Sequence, residues 1–238
     1  MTALELVIAA VLMGAGAIVQ GTVGFGMNAL IAPIVVLIDV DFVPGPLLVP
    51  ALALASLLAW EHRHEVLRRE VGWALCGRVP GVVLGVLAVS AWSTDAIGAL
   101  LAVIVLSSVA ASVFAPAVPR TLASLVAAGA LSGFGGTTTA IGGPPMGVVY
   151  QREPGDRLRG TMSAFFMPGI ALSIGLLLLS GEMTEADLGY GTAMVPGVVA
   201  GAVLAKFARP YLDRTWLREA VLTLSAVSAL ILLARVLT

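Results

Sequence analysis

Gly133 to Tyr150 reads GFGGTTTAIGGPPMGVVY. The stretch sets glycines, two adjacent prolines and three consecutive threonines among long apolar runs. Glycine and proline weaken or end helices, and Pro144 and Pro145 offer no N–H to an intrahelical bond. In hydrocarbon, each freed backbone group costs several kcal/mol unless protein or a watery cavity receives it. A break at membrane depth therefore predicts a lined site. A weaker counterpart, GTVGFGMNALIAP, runs from Gly21 to Pro33. Two broken segments at matching places in two halves point to a transporter binding site.

The surroundings justify calling this membrane depth. The chain of 238 residues is 59% hydrophobic and 11% charged, with a mean hydropathy of +1.02. A soluble domain carries about 25% charge. Long apolar runs, in place of short alternating strands, exclude a transmembrane barrel. The expectation is an all-α polytopic membrane protein, one transmembrane domain over 1–238. Cys76 is the sole cysteine, so no intramolecular disulfide can form. The first twenty residues carry one charged side chain, Glu5, and no basic n-region, which reads as a retained segment and not a cleaved leader.

Apolar segments fall at about 3–20, 23–38, 43–60, 71–90, 96–115, 121–134, 140–150, 160–180, 188–207 and 216–236. A full span needs about 20 residues. The first pair and the sixth and seventh segments read as helix–break–helix hairpins; the later pair is too short for two full spans. Eleven of the thirteen basic residues lie in the links around 61–70, 120, 152–159 and 206–218, which places those links in the cytoplasm. The links with Asp39 and Asp41, with Asp95, and with Glu182, Glu185 and Asp187 hold no Lys or Arg. Each hairpin must then enter and return on one side, the first from outside and the second from inside. Both termini fall outside. The result is two inverted-topology repeats, 1–116 and 117–238, each a broken or re-entrant hairpin plus three transmembrane helices. Val79-Pro80-Gly81-Val82-Val83 returns as Val195-Pro196-Gly197-Val198-Val199, an offset of 116.

The breaks supply the candidate site. Thr137, Thr138 and Thr139 offer hydroxyls, while Gly135, Gly136, Gly142 and Gly143 beside Pro144 let backbone N–H groups approach a ligand. Gln20, Thr22, Gly24 and Asn28 play the equivalent part in the first break. A half-helix starting at a break points partial positive charge and unpaired donors at an anion. Arg78, about 10 Å into its helix, is either a counter-charge facing a cavity or a side chain reaching back to the cytoplasmic surface. Lys206 reads as reaching back. No acidic residue lies deep in any span, which favours an anionic substrate. His62 and His64 alternate with charges in a basic link and read as solvated. No nucleophile motif, metal-ligand spacing or nucleotide loop is present, so no cofactor, metal or nucleic acid is expected.

Together, the glycine-rich hairpin GTVGFGMNALIAP, the motif GFGGTTTAIGGPPMGVVY with its Gly142-Gly143-Pro144-Pro145 and Tyr150, and the short basic links resemble the TauE/SafE family of sulfite and organosulfonate exporters. The resemblance implies a plasma-membrane permease of small sulfur-containing anions such as sulfite or sulfoacetate, working by alternating access. Partners are then the anion and the lipid bilayer. Proton coupling and a homodimer stay open, because small-residue faces serve contacts both within and between protomers. An anion channel would share the helix-end chemistry; an intramembrane enzyme would need a reactive group at depth.

Overall fold

The computed structural model describes residues 2–23, 27–114, 118–208 and 214–237. Its elements in chain order are α1 (Ala3–Val23), α2 (Met27–Ile38), a 3-10 turn (Val40–Phe42), α3 (Gly45–Glu61), α4 (Arg68–Ala91), α5 (Thr94–Phe114), α6 (Leu122–Thr139), α7 (Gly143–Tyr150), α8 (Gly155–Ser180), α9 (Glu185–Ala208) and α10 (Arg214–Leu237). There is no strand among the described residues. By length and composition, α1, α4, α5, α8 and α9 can cross a membrane. Large apolar side chains stand on the outside, Val11, Leu84, Leu87, Leu204 and Phe207 among them, as lipid as solvent allows.

The hairpins are lopsided. At 1.5 Å per residue, α1 and α2 are about 31 and 18 Å long, and α6 and α7 about 27 and 12 Å. Each hairpin is one nearly complete crossing with a short return. The second break is also narrower than the sequence suggests. Residues 133–139, expected to be broken, continue α6, and the interruption is confined to 140–142. Threonine hydroxyls bonding back to carbonyls one turn earlier suit that helix, as small residues suit its close packing. Pro144 and Pro145 lie in the first turn of α7, where a missing N–H costs no helical bond.

Two glycine seams organise the bundle. A Cβ on Gly77 of α4 would lie 1.9 Å from Val126 O of α6, and one on Gly81 2.1 Å from Ala130 O. Reciprocally, a Cβ on Gly129 would lie 2.0 Å from Ala74 O. The second seam joins α9 to α1: Gly197 faces Ala10 O at 2.4 Å and Gly201 faces Gly14 O at 2.1 Å by the same construction. With no side chain between them the backbones touch, the usual means of helix association in lipid. The recurring VPGVV thus sits at one seam in each half, with Gly81 and Gly197 turned inward and Val79, Val83 and Val199 exposed. The long arm of each hairpin packs against a helix of the other half. Between the seams α3 lies against α8, and α5 against α10. This pairing pattern is unchanged when α1–α5 are exchanged with α6–α10 in order.

The links gather at two ends. At one, Arg120 Nη1 lies 2.6 Å from Glu153 and 3.5 Å from Glu70, Lys206 Nζ lies 3.1 Å from Glu61, and Arg157 lies 3.9 Å from Glu65. His62, expected to be solvated, is largely buried, with Nδ1 3.6 Å from Asp156. At the other end Asp41, Trp92, Thr94 and Glu182 line one surface cavity. Arg235 Nη1 donates to Leu37 O there, which puts the end of α10 beside the end of α2. The α1 and α9 seam runs parallel, so the start of α1 lies at this same end. Links rich in arginine and links without it therefore occupy opposite ends.

Candidate functional site

Arg78 stands ten residues into α4, because that helix begins at Arg68 and not near Trp73. That is about 15 Å along a helix long and apolar enough to cross a membrane, past its charged first turn of Arg68, Arg69 and Glu70. Its side chain is 1% exposed, so it does not reach back to the surface. Four residues of α8 and α6 shape its bed. Gly169 of α8 leaves the space the guanidinium fills, since a Cβ there would sit 1.6 Å from Arg78 Nε. Phe165 and Phe166 place ring centroids 4.7 and 5.5 Å from Cζ, a cation–π arrangement that suits a buried guanidinium. Nη1 donates to Ser132 Oγ of α6 at 3.0 Å, and Ser132 in turn donates to Gly142 O at the break. Nε has no partner, and no carboxylate among the described residues pairs with the guanidinium.

Residues flanking the first break meet the second break beside this cation. Asn28, in the first turn of α2, donates its Nδ2–H to Ala140 O at 2.9 Å. Ala140 caps α6 in the left-handed region at φ 59°, a conformation costing a residue with a side chain about 1–2 kcal/mol. The Asn28 bond helps hold it. Gln20 Oε1 accepts from Met27 N–H at 3.2 Å, closing the first break from the α1 side.

Around these groups is a cavity of about 50 Å³. It has room for about four water-sized groups, comparable to the four heavy atoms of a sulfite-sized ion. Gln20, Asn28, Arg78, Gly136, Gly142 and Gly143 form its polar wall; Leu48, Ala51 and Ala55 of α3 with Phe166 and Ile170 of α8 form the apolar one. Among the described residues, Arg78 is the one charged side chain lining it. The starts of α2 and α7 both border it, adding the partial positive charge of helix N-termini to that of Arg78.

Six of the thirteen expected site residues thus line one cavity. Gly24 lies outside the described residues. The threonines differ from expectation. Thr138 and Thr139 donate to Phe134 O and Gly135 O of their own helix, and Thr137 pairs with Ser173 of α8 at 2.7 Å. In hydrocarbon a hydroxyl bonds the nearest carbonyl, and a helix offers one a turn back. Thr22 likewise donates to Ile18 O, while its own carbonyl accepts from Arg159 of α8. Gly135 permits the fold-back of the break, where a Cβ would meet Ile141 O at 2.9 Å. Pro144 lines a separate cavity of about 460 Å³ between α5, α7 and α10, toward the arginine-rich end; Ala29 borders both cavities.

Sequence reading missed Ser132, Phe165, Phe166 and Gly169. Pro168-Gly169 inside a long apolar run was the available signal for the last. Gly169→Ala should displace the guanidinium, cutting anion affinity at least about tenfold while thermal unfolding shifts little, because one methyl displaces a side chain end and not backbone. Calorimetric titration of the purified variant checks this; wild-type affinity would mean Arg78 does not need its bed.

A polytopic helical membrane protein whose hairpins converge on a buried cation, with no carboxylate among the described residues paired to it, is built like a carrier of small anions. The chain belongs to the sulfite exporter TauE/SafE family, whose model matches residues 8–232, and it is accordingly a member of a transporter family. No curated protein and no solved structure matches it significantly.

Proposed function

We propose that the protein is a secondary transporter exporting small sulfur-containing anions, sulfite or short organosulfonates, across the plasma membrane. The observation that carries this is Arg78, a buried cation inside a membrane-spanning helix, with no carboxylate partner among the described residues, lining a cavity of one oxyanion's size. A charge so placed is costly and marks a substrate site. The arginine-rich end faces the cytoplasm on the positive-inside rule, with both termini outside. A negative interior then favours outward movement of an anion.

The pairing that survives exchange of the two halves supports an inverted repeat. It also suggests which parts move in alternating access. The seams tie α1 to α9 and α6 to α4, so rocking bodies would each combine helices from both halves. The α3 and α8 faces between them would slide as the site changes sides. An anion channel would use the same helix ends; its flux in planar bilayers would far exceed carrier turnover.

Thermal unfolding of purified protein against sulfite, sulfoacetate, taurine, isethionate, sulfate and acetate tests the reading. A ligand bound by the folded state raises the melting temperature by mass action, about 2.7 kcal/mol at a hundredfold excess over Kd. Selective stabilisation by sulfite or a sulfonate is the expected result. A flat response to all six from folded protein would refute it.

A further inference from the structure

Two residues of the cavity wall each carry an unsatisfied buried atom, and the two atoms are of opposite kind. Arg78 Nε is a buried donor with no acceptor, and Asn28 Oδ1 is a buried acceptor with no donor. The bond from Asn28 to Ala140 O fixes which end of the amide is nitrogen, since a carbonyl must receive an N–H. Both residues line the same small cavity. A buried polar group left unpaired is costly, so the arrangement is complete only with a ligand that accepts at one point and donates at another.

Charge narrows the ligand further. The cavity has one formal charge, that of Arg78, and no acidic side chain among the described residues lines it. A monoanion neutralises the site. A dianion leaves an uncompensated negative charge in a low-dielectric interior, where such charges are strongly disfavoured. A zwitterion bearing an ammonium group would bring a second cation with no carboxylate to meet it.

Resting on the proposed function, we infer that the transported species is a protonated monoanion: hydrogen sulfite, not sulfite dianion. One of its oxygens accepts from Arg78, and its O–H donates to Asn28 Oδ1. Each anion exported then takes a proton with it, and no protein carboxylate is needed to carry that proton. Among the described residues, the elements around the cavity present no other group that titrates near neutrality. Gln20, Met27 and Asn28 come from the first hairpin, alanines and leucine from α3, Ser132 and Gly136 from α6, glycines from the second break, and phenylalanines and isoleucine from α8. A pH dependence of binding in that range is thus the ligand's own.

The test uses the full-length purified protein and three probes in calorimetric titrations. Sulfite is titrated on both sides of its second ionisation; methanesulfonate is a permanent monoanion without a donor, and hydroxymethanesulfonate a permanent monoanion with one. Apparent affinity for total sulfite should fall about tenfold per pH unit above the ionisation, while that for methanesulfonate stays level. Asn28→Ala should weaken hydrogen sulfite and hydroxymethanesulfonate by about tenfold and spare methanesulfonate. A sulfite affinity that is level or rises with pH would overturn the inference. So would an Asn28→Ala variant that weakens all three probes alike, which is what a purely structural bond to Ala140 would produce. The wild-type pH series needs no variant and decides the matter if Asn28→Ala does not fold. Failure of every anion to bind would instead strike the proposed function.

Discussion

Replacing Arg78 with methionine will abolish anion binding and leave the protein as stable as before, or more so. The loss should be large. A charged hydrogen-bonding group in a buried site is worth about 2–5 kcal/mol to its partner, or roughly thirty- to several-thousand-fold in affinity. Stability should move the other way. The folded protein already bears the desolvation of a cation with no carboxylate beside it, and exchanging buried ions for apolar groups of similar volume is often neutral or stabilising by about 1–4 kcal/mol. Arg78→Lys should keep part of the affinity, because it restores charge without the planar fork that reaches Ser132 and the cavity together. Melting temperature and sulfite titration on the same preparation separate the two effects. A methionine variant that still binds, or that binds nothing because it has unfolded, would make Arg78 a structural cation.

Gly77→Val should produce the largest loss of stability. Its Cβ would fall 1.9 Å from a carbonyl oxygen of α6, so backbone and not a movable side chain must give way. Overpacking a core costs about 1–3 kcal/mol where side chains can adjust, and this position exceeds that range. The seam would open and displace Ser132 and the second break with it. Monodispersity in detergent and the unfolding temperature read the effect. Gly72→Ala is the control, since a Cβ there meets nothing within 4 Å. Wild-type melting of Gly77→Val would show that α4 and α6 can separate without loss.

How much of this was legible in the sequence depends on the kind of signal. Ten helical segments and two hairpins follow from hydropathy and from Gly and Pro, because lipid permits few other structures. The grouping of links at two ends follows from arginine placement, and the ion pairs of Arg120 with Glu70 and Glu153 join links that charge alone put together. Arg78, Asn28 and the break glycines stood out as polar or flexible residues in apolar surroundings. The roles of the threonines did not, since Thr137–Thr139 could equally face a ligand or their own carbonyls. Gly169 and Ser132 escaped because each matters through a residue distant in sequence, Arg78, and no local pattern records such a meeting.

The seam between α1 and α9 bears on how the protein is made. Among the described helices, α1 is made eight helices before α9, the helix that covers Ala10 and Gly14. Until α9 is made, the chain therefore holds a small-residue face in the bilayer with no partner of its own. Such a face is open to another copy's α9, the route by which identical elements are exchanged between chains. A chain that stops short of Glu185 has nothing to close that face, so the synthesis of α9 is registered at α1.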